Sequence, residues 1–550
     1  MLDLRTRLLA QLRARRFDLL VVGGGIVGAG IVRDAAMRGL RVALIEQRDF
    51  ASGTSSKTSK LIHGGLRYLE QGRLRLVCES LRERQILRTI APEFIHPLSI
   101  LIPVYRGQGQ PGWKIHAGLW LYDLLARGRT IHPHRMVSAR RATALEPGLR
   151  VDGLRMAGVY ADCQMDDARV CLSNILQAVG FGAVCGNYLR LAEFLKADDG
   201  RLCGGVVEDQ FTGSASEIQA EVVVNATGPW SDDVRRLCDR SADRRLAPTK
   251  GIHLILPRVA QEALFVPAQA DGRMVFVLPW GNDYSLVGTT DTALEGSVDE
   301  LRATPDDVGY LLEEVNRVLP GSHVDEEDVI ATYAGARPLM AFAGSSTRAS
   351  REHRIEVDAS GLISVLGGKF TTYRLMAKQA VDLVAARLRR QTERSLTDQV
   401  RLLETVHPVA LDHWQQVAAS VDPDLLARLL TRYGAGGFQI LRLLAQEPAL
   451  AQPVCPHHEY INAELVHALQ QELACTVTDV LARRTRIAWS SCQGLDFLST
   501  VKDLWGRYGG FALHRIEQQL EEYGHFLAAG LAFRPSSQGR LKPADRQGVG

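Results

Sequence analysis

A glycine cluster between two apolar runs constrains this chain more than any other feature. Phe17 to Val22 reads as a short buried strand, and Gly23-Gly24-Gly25-Ile26-Val27-Gly28 follows at once. Ala29 to Arg38 has helical character, Gly39 stops it, and Arg41 to Ile45 is a second apolar run that ends at Glu46. A G-x-G-x-x-G spacing with a strand before it and a helix after it predicts a Rossmann-type dinucleotide site. Gly23 makes the tight turn, Gly25 lets the backbone approach a pyrophosphate, and Gly28 lets helix and strand pack closely. The pyrophosphate rests on the helix N-terminus, where unbonded N–H groups and the helix dipole favour an anion. Glu46 stands about 20 residues on, placed to accept hydrogen bonds from a ribose.

Later segments turn the reading from a nicotinamide to a flavin dinucleotide. Glu221 to Gly228 is a strand ending in Ala226-Thr227-Gly228, small residues that let the chain pass close to a bound dinucleotide. Ser364 to Arg374 is another strand, glycine turn and helix start, and it contains Gly367-Gly368-Lys369-Phe370-Thr371-Thr372. A second helix N-terminus there can face a flavin pyrimidine ring, and its dipole and Lys369 would stabilise negative charge at N1/O2. A nicotinamide enzyme has no need of that element, so FAD is the expected cofactor.

Composition excludes several other classes. The net charge of +3 over 550 residues gives no global case for nucleic-acid binding. Nine cysteines, an odd number with no C-x-x-C pair, read as reduced thiols in a cytosolic compartment. The nearest approach to metal-ligand spacing is Cys455, His457, His458 and Glu459, flanked by Pro453 and Pro456. It reads as a solvated loop, and no metal is expected. No run approaches the ~18 apolar residues of a spanning helix, and no secretory signal opens the chain. In the first sixteen residues Leu4, Leu8, Leu9 and Leu12 share one helical side, with Arg7, Arg13 and Arg15 roughly opposite. That pattern reads first as a helix packed on the body, and otherwise as a membrane-surface contact.

The motifs beyond the first glycine cluster are more specific. They include the loop from Gly53 through Thr54, Ser55, Ser56, Lys60, Leu61 and His63-Gly64-Gly65-Leu66-Arg67-Tyr68, and Tyr160 to Arg169. They continue with Asn225 to Trp230, Lys250-Gly-Ile-His253, Asp271 to Trp280 and Gly288-Thr-Thr-Asp291. Thr332 to Leu339 and Gly367 to Arg374 close the series. In order and spacing, from residue 17 to about 380, these resemble the FAD-dependent glycerol-3-phosphate dehydrogenases. Arg432-Tyr433-Gly434 and Ala463 through Arg486 are similar, more weakly, to that family's helical C-terminal domain. Lys57, where a small residue is expected, and His353 depart from the pattern.

The resemblance implies an α/β architecture in three parts. A discontinuous Rossmann-type FAD domain spans roughly 17–85, 150–245 and 345–385, and a mixed-sheet substrate domain spans 86–149 and 246–344. An α-helical domain covers 405–530, and 534–550 reads as a disordered tail. It implies oxidation of sn-glycerol 3-phosphate to dihydroxyacetone phosphate, with the C2 hydride going to flavin N5 and the hydroxyl proton to a base. The chemistry needs a cationic clamp for the phosphate, for which Arg337, Arg351 and Arg67 are candidates, with Tyr68 beside them. It needs a base, for which His253 and His63 compete. His63 serves the cofactor in the other reading, and Lys369 stabilises the reduced flavin.

The resemblance also implies that electrons pass to a membrane quinone, and with no spanning segment the protein is expected to sit peripherally on the inner, cytoplasmic face of an anionic membrane. Arg483, Arg484 and Arg486 offer a second basic cluster for that contact. A homodimer is an open assembly. The competing readings are a glycerol-3-phosphate oxidase, an amine or amino-acid oxidase, and a non-catalytic FAD-binding regulator.

Overall fold

The computed structural model describes residues 2–294, 296–342, 345–350, 352–404 and 421–534. The apolar runs read from the sequence pair as parallel strands. Arg16–Val22 lies between Val42–Ile45 and Ala215–Asn225, in registers that set Val22 beside both Ile45 and Asn225. Ile363–Gly367 adds outside Ala215–Asn225, and Val184–Gly186 outside Val42–Ile45. An antiparallel edge strand, His353–Val357, and the hairpin Leu189–Lys196/Leu202–Asp209 complete eight strands. The helices Ile26–Met37, Asp167–Gly180 and Tyr373–Leu388 cover this sheet, burying Ile31, Val32, Ile175 and Val381 completely. Strands buried on both faces explain their unbroken Val, Leu and Ile content.

The second sheet has ten strands and is mixed, as expected. Ala263–Pro267 runs parallel to Ile95–Tyr105, and the other pairs are antiparallel. Its composition moves one boundary. Leu154–Met165 pairs along its whole length with Ile95–Tyr105, and Leu61–Ile62 pairs with Leu154–Met165. The chain therefore returns to the FAD domain near Asp166, not at 150. The pattern misplaced it because a buried strand reads alike in either sheet.

Residues 421–534 pack as helices around their own core, which includes Ile440, Leu465, Val480 and Trp505. This domain is clamped to the FAD domain by buried charge. Arg483 and Arg484 both meet Asp49, Arg169 meets Glu472, and Arg486 meets Asp166. Burial works against ionisation of Asp49, and the two guanidiniums outweigh it, holding the carboxyl at about 2. Two of the three arginines read as a membrane contact, Arg483 and Arg484, are thus consumed inside the molecule, and the exposed Arg486 is paired with Asp166.

The N-terminal helix, Leu2–Ala14, is also taken. Leu12 is buried with Leu8 and Leu9 against it on the sheet, and Arg5 pairs with Asp209. Its apolar side faces the body, as its first reading had it. Of the expected tail only Arg534 is described, and its guanidinium donates to the carbonyls of Glu326, Glu327 and Val329.

No described helix is long and apolar enough to cross a membrane. One helix nonetheless carries an uncovered apolar stripe. In Gly112–Ala126, Leu119 and Tyr122 are buried, while Trp113, Trp120 and Leu124 are 74%, 59% and 56% exposed. Lys114 on this helix, Arg127 at its end, and Arg129 and Arg135 in the chain that follows are exposed.

Candidate active site

A long groove opens where the parallel strands end. It runs from Glu46 and Arg48 past Gly23 and Gly25, along Ala226, Thr227 and Gly228, to Gly367, Gly368 and Lys369. This is the carboxyl edge of the sheet, where the chain turns from strands to helices and leaves backbone groups unpaired. Each glycine of the first cluster has its own reason. Gly23, at φ +108, lies so close to Ala226 that a Cβ would come within 2.7 Å of its carbonyl oxygen. A Cβ on Gly28 would stand 1.9 Å from the Gly23 oxygen, so only glycine lets this helix close onto the turn. A Cβ on Gly25 would meet nothing but the Ser55 hydroxyl, at 3.1 Å. That is the face left open over the helix N-terminus, where a pyrophosphate fits.

The side chains around the groove are held by backbone. Glu46 accepts from the Gly24 N–H at 2.7 Å and the Arg48 N–H at 2.9 Å. Burial raises its pKa, and those two N–H bonds oppose the rise. Ser55 Oγ accepts from the Ile26 N–H at 2.9 Å, taking one of the helix's unbonded donors. Thr54 donates to the Ala336 carbonyl at 2.6 Å and ties the loop to the second sheet. Trp230 and Arg48 both bond Asp299, closing the outer end of the groove.

Of the residues expected to hold cofactor, Gly23, Gly25, Glu46, Thr54, Ser55, Ala226, Thr227, Gly228, Gly368 and Lys369 line this groove. The others support it. Lys60 is buried with its amine on Asp167 at 2.5 Å and the Ser56 carbonyl at 2.7 Å. Leu61 pairs with Gln164, and the Gly64 N–H meets Tyr122 and Asp162. Thr371 donates to the His63 carbonyl, and Thr372 to the Lys369 carbonyl. The groove's length, glycine-bared wall and two flanking helix N-termini fit a dinucleotide with a tricyclic head, and FAD is the cofactor.

A second, smaller constellation stands beside it on the other sheet. His253 and Tyr333 face each other across the Thr249–Pro257/Ala331–Arg337 ladder, and their rings stack at 5.0 Å. The imidazole is 3% exposed. Its Nε2 lies 2.8 Å from Ser59 Oγ, and its Nδ1 is buried with no hydrogen-bond partner among the described residues. Burial, then the charges of Arg337 and Lys60, pushes its pKa well below 6.5, so the ring is neutral near pH 7. Room for it comes from Gly288, where a Cβ would lie 2.2 Å from the His253 ring.

Arg337 ends the same ladder, and Gly251 makes its space in the same way. The guanidinium donates to Asp291, Thr289 Oγ1 and the Thr290 carbonyl, each at 2.8 Å. Thr58, next to Ser59, and Pro338, next to Arg337, line the groove. The constellation therefore abuts the cofactor site.

The remaining expected residues divide. Lys369 stands 3.9 Å above the Tyr68 ring and bonds Ser80 at 3.1 Å. Arg67 is exposed on the same short turn as Tyr68, and His63 is half-buried just before it. Arg351 lies outside the described residues. Sequence reasoning missed Ser59, Tyr333, Asp291 and the two space-making glycines. All five stood inside recognised motifs with no role attached.

The loop read as solvated around Cys455 requires a correction. His457 and Glu459 are exposed, but Cys455 is buried, His458 is half-buried, and both face Cys492 from thirty-odd residues away. Two prolines argued for a surface loop, and only the fold brings Cys492 to it.

Sheet, groove and glycine turns together define the class, a FAD-dependent oxidoreductase. The family model described as FAD dependent oxidoreductase matches residues 18–383, and that of the C-terminal domain of alpha-glycerophosphate oxidase matches 395–515. The chain is 35% identical to a glycerol-3-phosphate dehydrogenase of Synechocystis sp., covering 94% of this chain and 97% of the relative. It is 36% identical to glycerol-3-phosphate dehydrogenase 2 of Mycobacterium tuberculosis, covering 93% and 88%. The solved glycerol-3-phosphate dehydrogenase of Bacillus halodurans, complexed with FAD, superposes with a TM-score of 0.77 at 28% identity, over 98% of this chain and 99% of that one. The chain belongs to the FAD-dependent glycerol-3-phosphate dehydrogenase family.

Proposed function

We propose that His253 and Arg337 are the working pair in the oxidation of sn-glycerol 3-phosphate to dihydroxyacetone phosphate, and that the electrons leave to a membrane quinone. The observation that carries the assignment is their common ladder, a neutral buried imidazole beside a fixed cation, one residue from the groove lining. Bound FAD supplies the hydride acceptor. His253, neutral at working pH, takes the proton of the C2 hydroxyl, and its unpartnered Nδ1 leaves it acceptor capacity beyond the Ser59 bond. Arg337 exchanges the single charge of Asp291 for the dianionic phosphate, and its fork is already oriented by Thr289 and the Thr290 carbonyl. Lys369, above Tyr68, offsets the negative charge that reduction leaves on the cofactor.

Anaerobic addition of glycerol 3-phosphate tests this reading. The flavin absorbance is expected to bleach, and free glycerol should not bleach it at the same concentration. A flavin that stays yellow would leave only a cofactor-binding scaffold.

For the membrane contact the helix Gly112–Ala126 replaces the two surfaces that the fold consumes. Its exposed Trp113, Trp120 and Leu124 form one stripe with cations at its edge, the composition that lies in a bilayer interface. The inner, cytoplasmic leaflet supplies the anionic lipid for those cations. An oxidase is the second reading, favoured by the match of residues 395–515 to a glycerophosphate oxidase domain. Oxygen uptake equal to substrate turnover, with no gain from added quinone, would select it.

A further inference from the structure

The helical domain holds three side chains that the reaction does not use. Cys455, His458 and Cys492 bring their ligand atoms within 4.8 Å of one another. Both cysteines are free thiols and buried. His458 is half-buried, so the cluster is open to solvent on the imidazole side. Its Nε2 lies 3.3 Å from Cys492 Sγ and 2.9 Å from Ser490 Oγ.

We propose that Cys455, His458 and Cys492 form a structural zinc site. Two thiolates and one imidazole are a donor set that zinc prefers over the hard, oxygen-seeking cations. Zinc–sulfur and zinc–nitrogen bonds of about 2.3 and 2.0 Å put tetrahedral ligand atoms roughly 3.5–3.8 Å apart. The His458–Cys492 pair, at 3.3 Å, opens slightly to reach that spacing, and the widest pair closes by about 1 Å at most.

One sulfur also has the outer support of a metal site. Ser490 Oγ lies 3.5 Å from Cys492 Sγ and is itself fixed by donating to the Ile487 carbonyl at 2.7 Å. Gly494, at φ 73, makes the turn that follows Cys492. Hydrogen bonds around a ligand atom fix its direction. Water or the Ser490 hydroxyl takes the fourth position.

The ion would tie the Cys455 loop to the Cys492 loop, and the Cys492 loop meets the second sheet. Trp489 packs edge-on against Tyr333 at 5.6 Å, and Tyr333 carries the His253 ring. Ser491 N–H donates to the Tyr284 hydroxyl, and Gln493 to the Ile330 carbonyl. Zinc at Cys455 and Cys492 holds this strap in place, a structural task rather than a second reaction.

The test uses the full-length, FAD-loaded protein produced with zinc in the medium and then dialysed. Elemental analysis is expected to find roughly one zinc per chain. Cys455→Ser and His458→Ala should each lose the metal while keeping flavin absorbance, and chelation should lower the melting temperature. Cobalt(II) in place of zinc should add the visible bands of a tetrahedral thiolate site, at wavelengths beyond the flavin bands. That measurement needs no variant to fold. A metal-free protein with no cobalt bands overturns the proposal. So does zinc that both variants retain, or a thiol count short by two because Cys455 and Cys492 form a disulfide.

Discussion

The cofactor groove and the His253 chamber are neighbours built on different principles. The groove is backbone. Its shape comes from Gly23 and Gly28, where no side chain fits, and its polar groups are N–H donors at strand ends and helix starts. The chamber is side chain. Within the room that Gly251 and Gly288 leave, His253 and Arg337 take their positions from the side chains of Ser59, Tyr333, Asp291 and Thr289. Defects in the groove should therefore be all-or-none, and defects in the chamber graded.

The largest effect is expected from the two glycines, and they should differ. Gly28→Val drives a side chain into the Gly23 carbonyl, so it should lose flavin and fold together. Gly25→Val meets only Ser55, so it should fold normally yet hold no FAD. Flavin-to-protein absorbance beside circular dichroism separates the two. A Gly25→Val protein with a full complement of FAD would show that the pyrophosphate lies elsewhere.

Next comes Arg337→Ala. Loss of a charge-assisted bond to the phosphate costs about 1.5–3 kcal/mol, or roughly 10–150-fold in kcat/KM, with FAD content unchanged. The drop should be far smaller with glycerol as substrate. Equal losses on both substrates would place Arg337 away from the phosphate.

A smaller effect is expected at the membrane. Replacing Trp113, Trp120 and Leu124 by serine should reduce sedimentation with anionic liposomes several-fold, leaving turnover with a soluble dye intact. Undiminished pelleting would move the contact off this helix.

The finest test concerns proton binding. A histidine whose folded pKa is depressed binds its proton only below the unfolded value, so the base form persists as pH falls through 6.5. The acid limb of kcat should lie well under that value, and stability should decline as pH drops below about 6.5. An acid limb at or above 6.5 that vanishes in His253→Gln would show the ring to be solvated during turnover.

How much of this was legible in the sequence follows the same division. Gly23, Gly25, Gly28 and Glu46 could be read because backbone geometry admits few residues at those positions. The types needed by the chemistry, an imidazole and a guanidinium, could also be read, but not their partners. Ser59 reaches His253 from nearly two hundred residues away, and no periodicity announces such a contact. Amphipathic pattern showed that the N-terminal helix has an apolar side and could not show that the sheet covers it. Arg483, Arg484 and Arg486 looked like a surface cluster because Asp49 and Asp166 are remote in the chain.

The order of the parallel sheet also sets a timetable for the protein's birth. Arg16–Val22 leaves the ribosome early, but its neighbour Ala215–Asn225 follows some 200 residues later, and Ile363–Gly367 later still. At about 5–20 residues per second, the wall facing the flavin head is finished roughly 20–75 s after synthesis starts. For most of that interval the apolar strands Arg16–Val22 and Val42–Ile45 have only each other, without their outer neighbours Ala215–Asn225 and Val184–Gly186. Nascent chains should thus lean on chaperones for longer than the size of the domain suggests, and FAD supply should limit yield only at the end of translation.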